Sequence, residues 1–191
     1  MRTKANTEQS SVLFLTNKEH GQSNVVLAVM YELLLSGEVD HIHVASFESF
    51  RGRVSEMREL ASNAKLKPEG GKKTSVTFHT LPGLSMHEQM KFAQNPPSHR
   101  PGFRGAIAQY NRMTQGMGSW DAEVYLGIYG ACRDILETVN AGVVVVGHLF
   151  SPGMDACNIL GIRYFYISSD MFREHRPSTD SLWYTLCQRP A

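Results

Sequence analysis

The chain has 191 residues, of which 42% are hydrophobic and 19% charged. This composition is typical of one sizeable globular domain and excludes an intrinsically disordered chain. Nineteen Lys and Arg face 18 Asp and Glu, which gives a net charge of +1. Neither the total charge nor any charged tail indicates nucleic-acid binding.

Cysteine usage and the N-terminus indicate a cellular compartment. The chain has three cysteines, Cys132, Cys157 and Cys187. Their odd number and the lack of a C-x-x-C pair favour reduced thiols inside the cell. Residues 1–11 form a polar tail without the apolar core of a signal peptide. No stretch reaches the ~20 apolar residues that a transmembrane helix needs. We therefore expect a soluble, cytoplasmic protein without a transmembrane segment.

Strands and helices are predicted to alternate in the N-terminal part. The predicted elements are a strand at Val12–Thr16, a helix capped by Ser23 or Asn24 and running to about Leu35, a strand at His41–Ser46, a helix from Glu48 to about Ala64 and a strand at Thr74–Leu81. The first strand is an apolar run, as expected for a strand buried on both faces. This order is typical of one half of a doubly wound sheet.

The rest of the chain is less regular. The predicted elements are an irregular stretch over residues 82–101, a helix near Phe103–Met117, a helix at Trp120–Asn140, a strand at Val143–Val146, a short helix at Asp155–Leu160 with Pro152 suited to its start, and a strand at Arg163–Ile167. Together the elements predict an α/β fold with a Rossmann-like, doubly wound parallel sheet. The predicted domain spans residues 12–170, followed by an irregular C-terminal segment at residues 171–191.

The loops after the first and fourth strands are the predicted ligand site. In doubly wound sheets a ligand lies beyond the carboxyl ends of the strands, where the strand order reverses, and the usual order places these two strands side by side. The first loop carries His20, Gly21, Gln22 and Ser23, and the second carries Gly147, His148, Phe150 and Ser151. Small polar residues after a strand often only turn the chain, so the prediction depends on the two loops meeting.

Two other patterns carry little weight. His41 and His43 point the same way from a strand but lack a third clustered ligand, so no metal site is predicted. Gly70–Thr74 lacks the spacing of a phosphate loop and precedes a strand instead of following one. No G-x-G-x-x-G motif follows the first strand, which argues against a simple dinucleotide-binding protein.

Two segments resemble a known family. Val12–Ala28 resembles the opening of UDP-dependent glycosyltransferases of the two-domain GT-B fold, in particular the fungal branch. Val143–Ile162 is similar to their fourth strand and the following helix. The resemblance implies that this chain is the N-terminal, acceptor-binding half, and that the C-terminal, donor-binding domain is absent from it. The implied reaction moves a hexose from a UDP-sugar to a hydroxyl of a hydrophobic small molecule.

The resemblance also implies roles for individual residues. In the family a histidine in the first loop takes the acceptor proton, and an aspartate at the end of strand four orients it, because a hydroxyl is a weak nucleophile. Here Gln22 stands at the base position and Gly147 at the aspartate position, and glutamine accepts no proton at neutral pH. His20 is the candidate substitute base and His148 a weaker one. Asp155 matches an acidic position early in the next helix, where a helix-end or packing contact is the alternative.

Ligands and partners follow from the same resemblance. This half is expected to bind no cofactor, and a UDP-sugar is expected as donor substrate once a C-terminal half or a partner chain supplies its site. The aromatic and Met-rich region between Phe92 and Trp120 suits a hydrophobic acceptor, with ordinary helix packing as the alternative for each of these residues. The alternative is a non-catalytic protein, either a truncated paralogue or one subunit of a split enzyme, that binds a hydrophobic ligand.

Overall fold

The computed structural model describes residues 10–64, 74–92, 102–105, 107–108 and 120–169. The strands are β1 (Ser11–Leu15), β2 (His41–Phe47), β3 (Ser75–Leu81), β4 (Val143–Gly147) and β5 (Phe165–Ile167). The helices are α1 (His20–Ser36), α2 (Arg51–Asn63), α3 (Met86–Phe92), α4 (Ala122–Val139) and α5 (Ser151–Leu160), and a single 3-10 turn (Glu48–Phe50) precedes α2.

The strands form one parallel sheet in the order β3-β2-β1-β4-β5. β1 is central: Val12 lies opposite Ile42 of β2 on one side and opposite Val143 of β4 on the other. The chain steps outward from β1 to β3 and then returns to the other side of β1, so the strand order reverses between β1 and β4. This confirms the predicted Rossmann-like α/β sheet and the predicted adjacency of the first and fourth strands.

The core forms on both faces of β1. Leu13, Phe14 and Leu15 are at most 1% exposed, and full burial of each such side chain stabilises the fold by about 1.5–3 kcal/mol. On one face Phe14 packs in a cluster with residues of α1 and α2, including Met30 and Val54. α1 buries few residues fully but contributes partly buried leucines to this cluster. The apolar run that predicted β1 is therefore explained by burial on both sides.

The chain divides into two compact units. Residues 1–85 and 122–169 form the first, and residues 86–121 and 170–191 form the second. The sheet, α1, α2, α4 and α5 belong to the first unit, and α3 belongs to the second. The predicted domain limits at residues 12 and 170 stay a prediction, and residues 171–191 lie outside the described part. None of the described helices has the length and apolarity that crossing a membrane requires.

α1 begins earlier than the sequence predicts. The predicted helix starts after Ser23 or Asn24, whereas residues 20–23 already form the first turn, so the loop shrinks to residues 16–19. The backbone N–H groups of Gln22 and Ser23 donate to the carbonyl of Glu19 at 3.0 and 2.9 Å. The Ser23 hydroxyl donates backwards to the same carbonyl at 2.9 Å instead of capping the helix. The prediction that residues 20–23 form a loop is therefore wrong.

Three smaller differences concern other elements. α5 begins at Ser151 instead of Asp155, because the fixed φ of Pro152 fits the first turn. β5 is shorter than predicted and begins at Phe165. α3 lies in the stretch predicted to be irregular. It could not be predicted because a seven-residue helix is too short to show a clear period. The helix predicted near residues 103–117 lies mostly outside the described residues.

Candidate functional site

The carboxyl ends of β1 and β4 lie side by side. Leu15 is paired with Val146, so the segments that follow the two strands start at neighbouring points. One segment leads into α1 and the other into α5. The position beyond these strand ends, where the order reverses, is where sheets of this kind hold their ligands. The fold therefore brings the two predicted segments together.

Asn17 links the two segments. It directly follows Thr16 beyond β1 and is fully buried. Its Nδ2 donates to Oε1 of Gln22 at 3.2 Å and to the carbonyl of Leu149 at 3.4 Å. Its Oδ1 is buried and has no hydrogen-bond partner in the described part of the chain. Asn17 is not among the predicted site residues. A polar residue directly after a fully buried strand is nevertheless a signal, because buried polar groups require partners.

Leu149 has an unusual backbone conformation. Its φ is +59°, in the left-handed region that costs a non-glycine residue about 1–2 kcal/mol. It lies in a tight turn in which the N–H of Phe150 donates to the carbonyl of Gly147 at 3.2 Å. Backbone strain of this kind clusters at functional sites. The turn after β4 thus contains a strained residue whose carbonyl is bound by Asn17.

Gln22 and His20 lie on the first turn of α1 and face different directions. Gln22 is half-buried and turned toward Asn17. Residues two apart in an α-helix are separated by about 200° around its axis, so the exposed His20 faces away from Asn17. His20 as the base stays a prediction, but it cannot take the place of Gln22 without a rearrangement of the first turn. His20, Gly21, Gln22 and Ser23 are thus helical residues at the site and not loop residues.

Ser23 and Gly21 differ in what the structure requires of them. Ser23 is fully buried; its hydroxyl donates to the carbonyls of Lys18 and Glu19 and accepts from Nη1 of Arg53 at 2.7 Å. Its oxygen is therefore engaged in holding α1. A β-carbon at Gly21 would meet no atom of the described residues within 4 Å, so packing against this part of the chain does not require glycine there.

The Arg53 guanidinium from α2 fixes the start of α1. Besides Ser23, it donates to the carbonyl of Lys18 at 3.1 Å and to Oδ1 of Asn24. It also lies over the ring of Phe50, 5.2 Å from the centroid. Burial lowers the pKa of Arg53 from its usual value. The sequence does not reveal this contact, because the partners of Arg53 lie on a different element.

His148 lies on the β5 side of the β4 end. Its backbone N–H donates to the carbonyl of Ile167 at 2.8 Å, and its ring Nδ1 lies 2.8 Å from Oγ of Ser168. Its ring centroid is 5.6 Å from that of Tyr166. A partner on one ring nitrogen holds the orientation of an imidazole, and the serine hydroxyl can pair with either tautomer because it both donates and accepts. His148 is therefore a half-buried, oriented histidine, and its role as a base stays a prediction.

Gly147 and Phe150 have packing roles. A β-carbon at Gly147 would lie 2.9 Å from Oγ1 of Thr16, so an aspartate does not fit beside that threonine. Phe150 is fully buried and meets the ring of Phe47 edge-on at 6.5 Å. A β-carbon at Gly153 would lie 2.8 Å from the Phe150 ring. Phe150 therefore supports the turn after β4 from within the core, and its contact with an acceptor stays a prediction.

Asp155 connects two helices. Its Oδ2 accepts a hydrogen bond of 2.5 Å from the Tyr125 hydroxyl on α4. Burial, followed by this hydrogen bond, raises the pKa of Tyr125 to about 12. The contact matches the packing alternative for Asp155, and a contact of Asp155 with a ligand stays a prediction.

The chain is similar to known proteins in sequence and in fold. No family model matches it. Over 164 residues it is 32% identical to glycosyltransferase sdnJ of Sordaria araneosa, and the match covers 82% of this chain and 31% of that protein. The solved glycosyltransferase SsfS6 of Streptomyces sp. SF2575 superposes with a TM-score of 0.55 at 15% identity, over 83% of this chain and 39% of that chain.

Further structures show the same fold. SsfS6 complexed with thymidine diphosphate superposes with a TM-score of 0.52 at 16% identity, covering 83% of this chain and 38% of that chain. The glycotransferase of kitacinnamycin superposes with a TM-score of 0.51 at 15% identity, covering 88% and 33%. The chain thus spans 31% to 39% of the length of sdnJ and SsfS6. With the sequence relative and the shared fold together, the chain belongs to the glycosyltransferases of the GT-B fold and corresponds to their N-terminal part.

Proposed function

We propose that the chain is the acceptor-binding part of a UDP-sugar-dependent glycosyltransferase that transfers a hexose to a hydroxyl of a hydrophobic small molecule. The observation that carries this proposal is the junction of Asn17, Gln22 and Leu149 at the ends of β1 and β4. A ligand site is expected at this position of the sheet. Family membership supplies the reaction class, and we further propose a cytoplasmic enzyme of secondary metabolism.

The proposed reaction is a single displacement. The acceptor oxygen attacks C1 of the sugar, the bond from C1 to the phosphate oxygen breaks, and UDP leaves with the electron pair. The acceptor proton must pass to a base, for which His20 and His148 are the candidates. Gln22 cannot take this proton because an amide is not basic at neutral pH.

The donor belongs to the remainder of the enzyme in this proposal. The acceptor-binding part binds no cofactor, and the UDP-sugar is held by a donor-binding domain or partner chain. SsfS6 was solved with thymidine diphosphate, which supports a nucleoside diphosphate as the leaving group. The choice of UDP rests on the resemblance of the first strand and helix to UDP-dependent members.

Binding and turnover, measured separately, test the proposal. The purified chain should bind hydroxylated polycyclic compounds, such as a steroid or flavonoid panel, in equilibrium titrations followed by tryptophan fluorescence. It should transfer no glucose from UDP-glucose to them, because the donor site lies elsewhere. Turnover by the chain alone would contradict its restriction to the acceptor part, and a panel without a single binder would contradict the acceptor site.

A second candidate function is a non-catalytic protein that binds a hydrophobic ligand. The observation in its favour is that Gln22 and Gly147 occupy the positions of the histidine base and of the aspartate that orients it in the family. Thr16 is packed against Gly147. Co-purification from the native source distinguishes the two forms of this alternative. A partner chain with a nucleotide-sugar domain indicates a split enzyme, whereas a chain that elutes alone and binds apolar ligands indicates a binding protein.

A further inference from the structure

We propose that Asn17 is a positioning residue that fixes the side-chain amide of Gln22 as a hydrogen-bond donor to the acceptor hydroxyl. The inference rests on the proposed function, because it names the group that meets the acceptor oxygen at the same site. It assigns a role in binding to two residues that cannot act as a base. It also separates the task of holding the acceptor oxygen from the task of removing its proton.

The orientation of both amides follows from one acceptor. The Leu149 carbonyl can only accept, so the group of Asn17 that faces it at 3.4 Å must be the NH2. The same NH2 lies 3.2 Å from the Gln22 amide, which must therefore present its oxygen to Asn17. The assignment of nitrogen and oxygen in both side chains is thus set by the hydrogen-bond network.

The remaining branch of the Gln22 amide is the group available to a ligand. Gln22 is half-buried, and within the described residues the only hydrogen bond of its side chain is the one to Asn17. Its NH2 therefore has no partner in the described part of the chain. An alcohol oxygen can accept a hydrogen bond from this NH2 and still release its own proton to a base. Glutamine at this position thus fits an orienting role and not a proton-accepting one.

Two unfavourable features surround the Asn17 amide. The Oδ1 atom of Asn17 is buried without a partner among the described residues, and Leu149 has a φ of +59°. Burial of an unpaired polar atom and left-handed backbone both reduce stability. The arrangement nevertheless fixes one amide at the point where the sheet holds a ligand. Strain concentrated there indicates a constraint imposed by binding.

A pair of probes that differ by one hydroxyl tests the inference. The chain is titrated with 5α-androstan-3β-ol and with 5α-androstane, and the ratio of the two dissociation constants is measured. One hydrogen bond from Gln22 should favour the alcohol about two- to tenfold in the wild-type chain. In Gln22→Met and in Asn17→Ala this ratio should fall to about one. The double variant should show no further loss, because Asn17 acts through Gln22.

Ser46→Ala is the matched control. Ser46 lies at the end of β2 and is as fully buried as Asn17, and its Oγ has no partner in the described part of the chain. It should keep the wild-type ratio. The ratio is informative because general damage to the fold weakens the binding of both probes alike. If Asn17→Ala does not fold, Gln22→Met still provides the test, because it alters only a half-buried residue. A wild-type preference that persists in Gln22→Met overturns the inference and leaves the proposed function intact. Failure of the wild-type chain to bind either probe contradicts both.

Discussion

A β-carbon at Gly147 would lie 2.9 Å from Oγ1 of Thr16 and 3.5 Å from the carbonyl of Leu15. Thr16 is fully buried, and its hydroxyl donates to the carbonyl of Asn17 at 3.1 Å. The threonine therefore has little freedom to move away. Position 147 is closed to larger side chains as long as Thr16 is present.

Gly147→Ala should lower the free energy of unfolding by about 1–3 kcal/mol, the usual cost of overpacking a well-packed site. Thr16→Ala removes the close atom, so the Gly147→Ala substitution should cost less in a Thr16→Ala background. Urea denaturation of the wild type, both single variants and the double variant measures this difference. Additive effects in the double variant would show that the two positions are not in steric conflict.

Replacement of Arg53 should loosen the start of α1. The guanidinium contacts Lys18, Ser23 and Asn24 together, and a lysine ammonium cannot reproduce this planar fork. Arg53→Lys should therefore reduce the free energy of unfolding by up to about 1.5–3 kcal/mol, the range for hydrogen bonds to charged groups. Amide hydrogen exchange should also speed up at residues 20–24. The control is Arg58→Lys on the exposed side of α2, which should change neither quantity.

The sheet could be predicted because its signals are local. Apolar runs mark strands such as β1 and β4. The alternation of strands with helices predicts a parallel sheet, and the usual strand order of such a sheet places β1 beside β4. The start of α1 could not be predicted in this way. It is set by Arg53, which is 30 residues away from Ser23 in the chain. Local capping rules favour Ser23 as a cap, whereas tertiary contacts use the same hydroxyl differently.

The site could be predicted as a place but not as a set of contacts. Topology alone puts the segments after β1 and β4 together. The contact of Asn17 with Leu149 joins residues 132 positions apart, and no sequence pattern reveals such a pair. Phe150 illustrates the converse, because a residue in a ligand-side turn can still point into the core. Side-chain direction in these turns depends on packing that only the folded chain defines.

Loss of the hydroxyl in Tyr125→Phe should reduce the free energy of unfolding by about 0.5–1.5 kcal/mol. The reason is the hydrogen bond that ties Tyr125 of α4 to Asp155 of α5. Spectrophotometric titration of the wild-type chain should show a phenol with a pKa of about 12, and this phenol should be absent from the variant. Tyr129→Phe on the same helix is the control. Unchanged stability in Tyr125→Phe would contradict a structural role of the contact.

A pair of histidines on the sheet should make stability depend on pH. Nδ1 of His43 and Nε2 of His79 lie 3.0 Å apart on β2 and β3, and the rings stack with centroids separated by 5.3 Å. Within the described residues no group of three or more His, Cys, Asp or Glu side chains is arranged to hold a metal ion. At this separation a positive charge on one ring disfavours a positive charge on the other.

Burial lowers the pKa of both rings, and in His43 the charges of His79 and His41 lower it further. A lowered pKa in the folded chain means that the unfolded chain binds more protons as the pH falls. The contribution of the pair to the free energy of unfolding is therefore complete above the ordinary histidine pKa of about 6.5 and is lost as the pH falls below that value. Urea denaturation between pH 7.5 and 5.5 should show decreasing stability for the wild type and a smaller decrease for the double variant His43→Gln, His79→Gln. Equal slopes in the two proteins would show that this pair does not control the dependence.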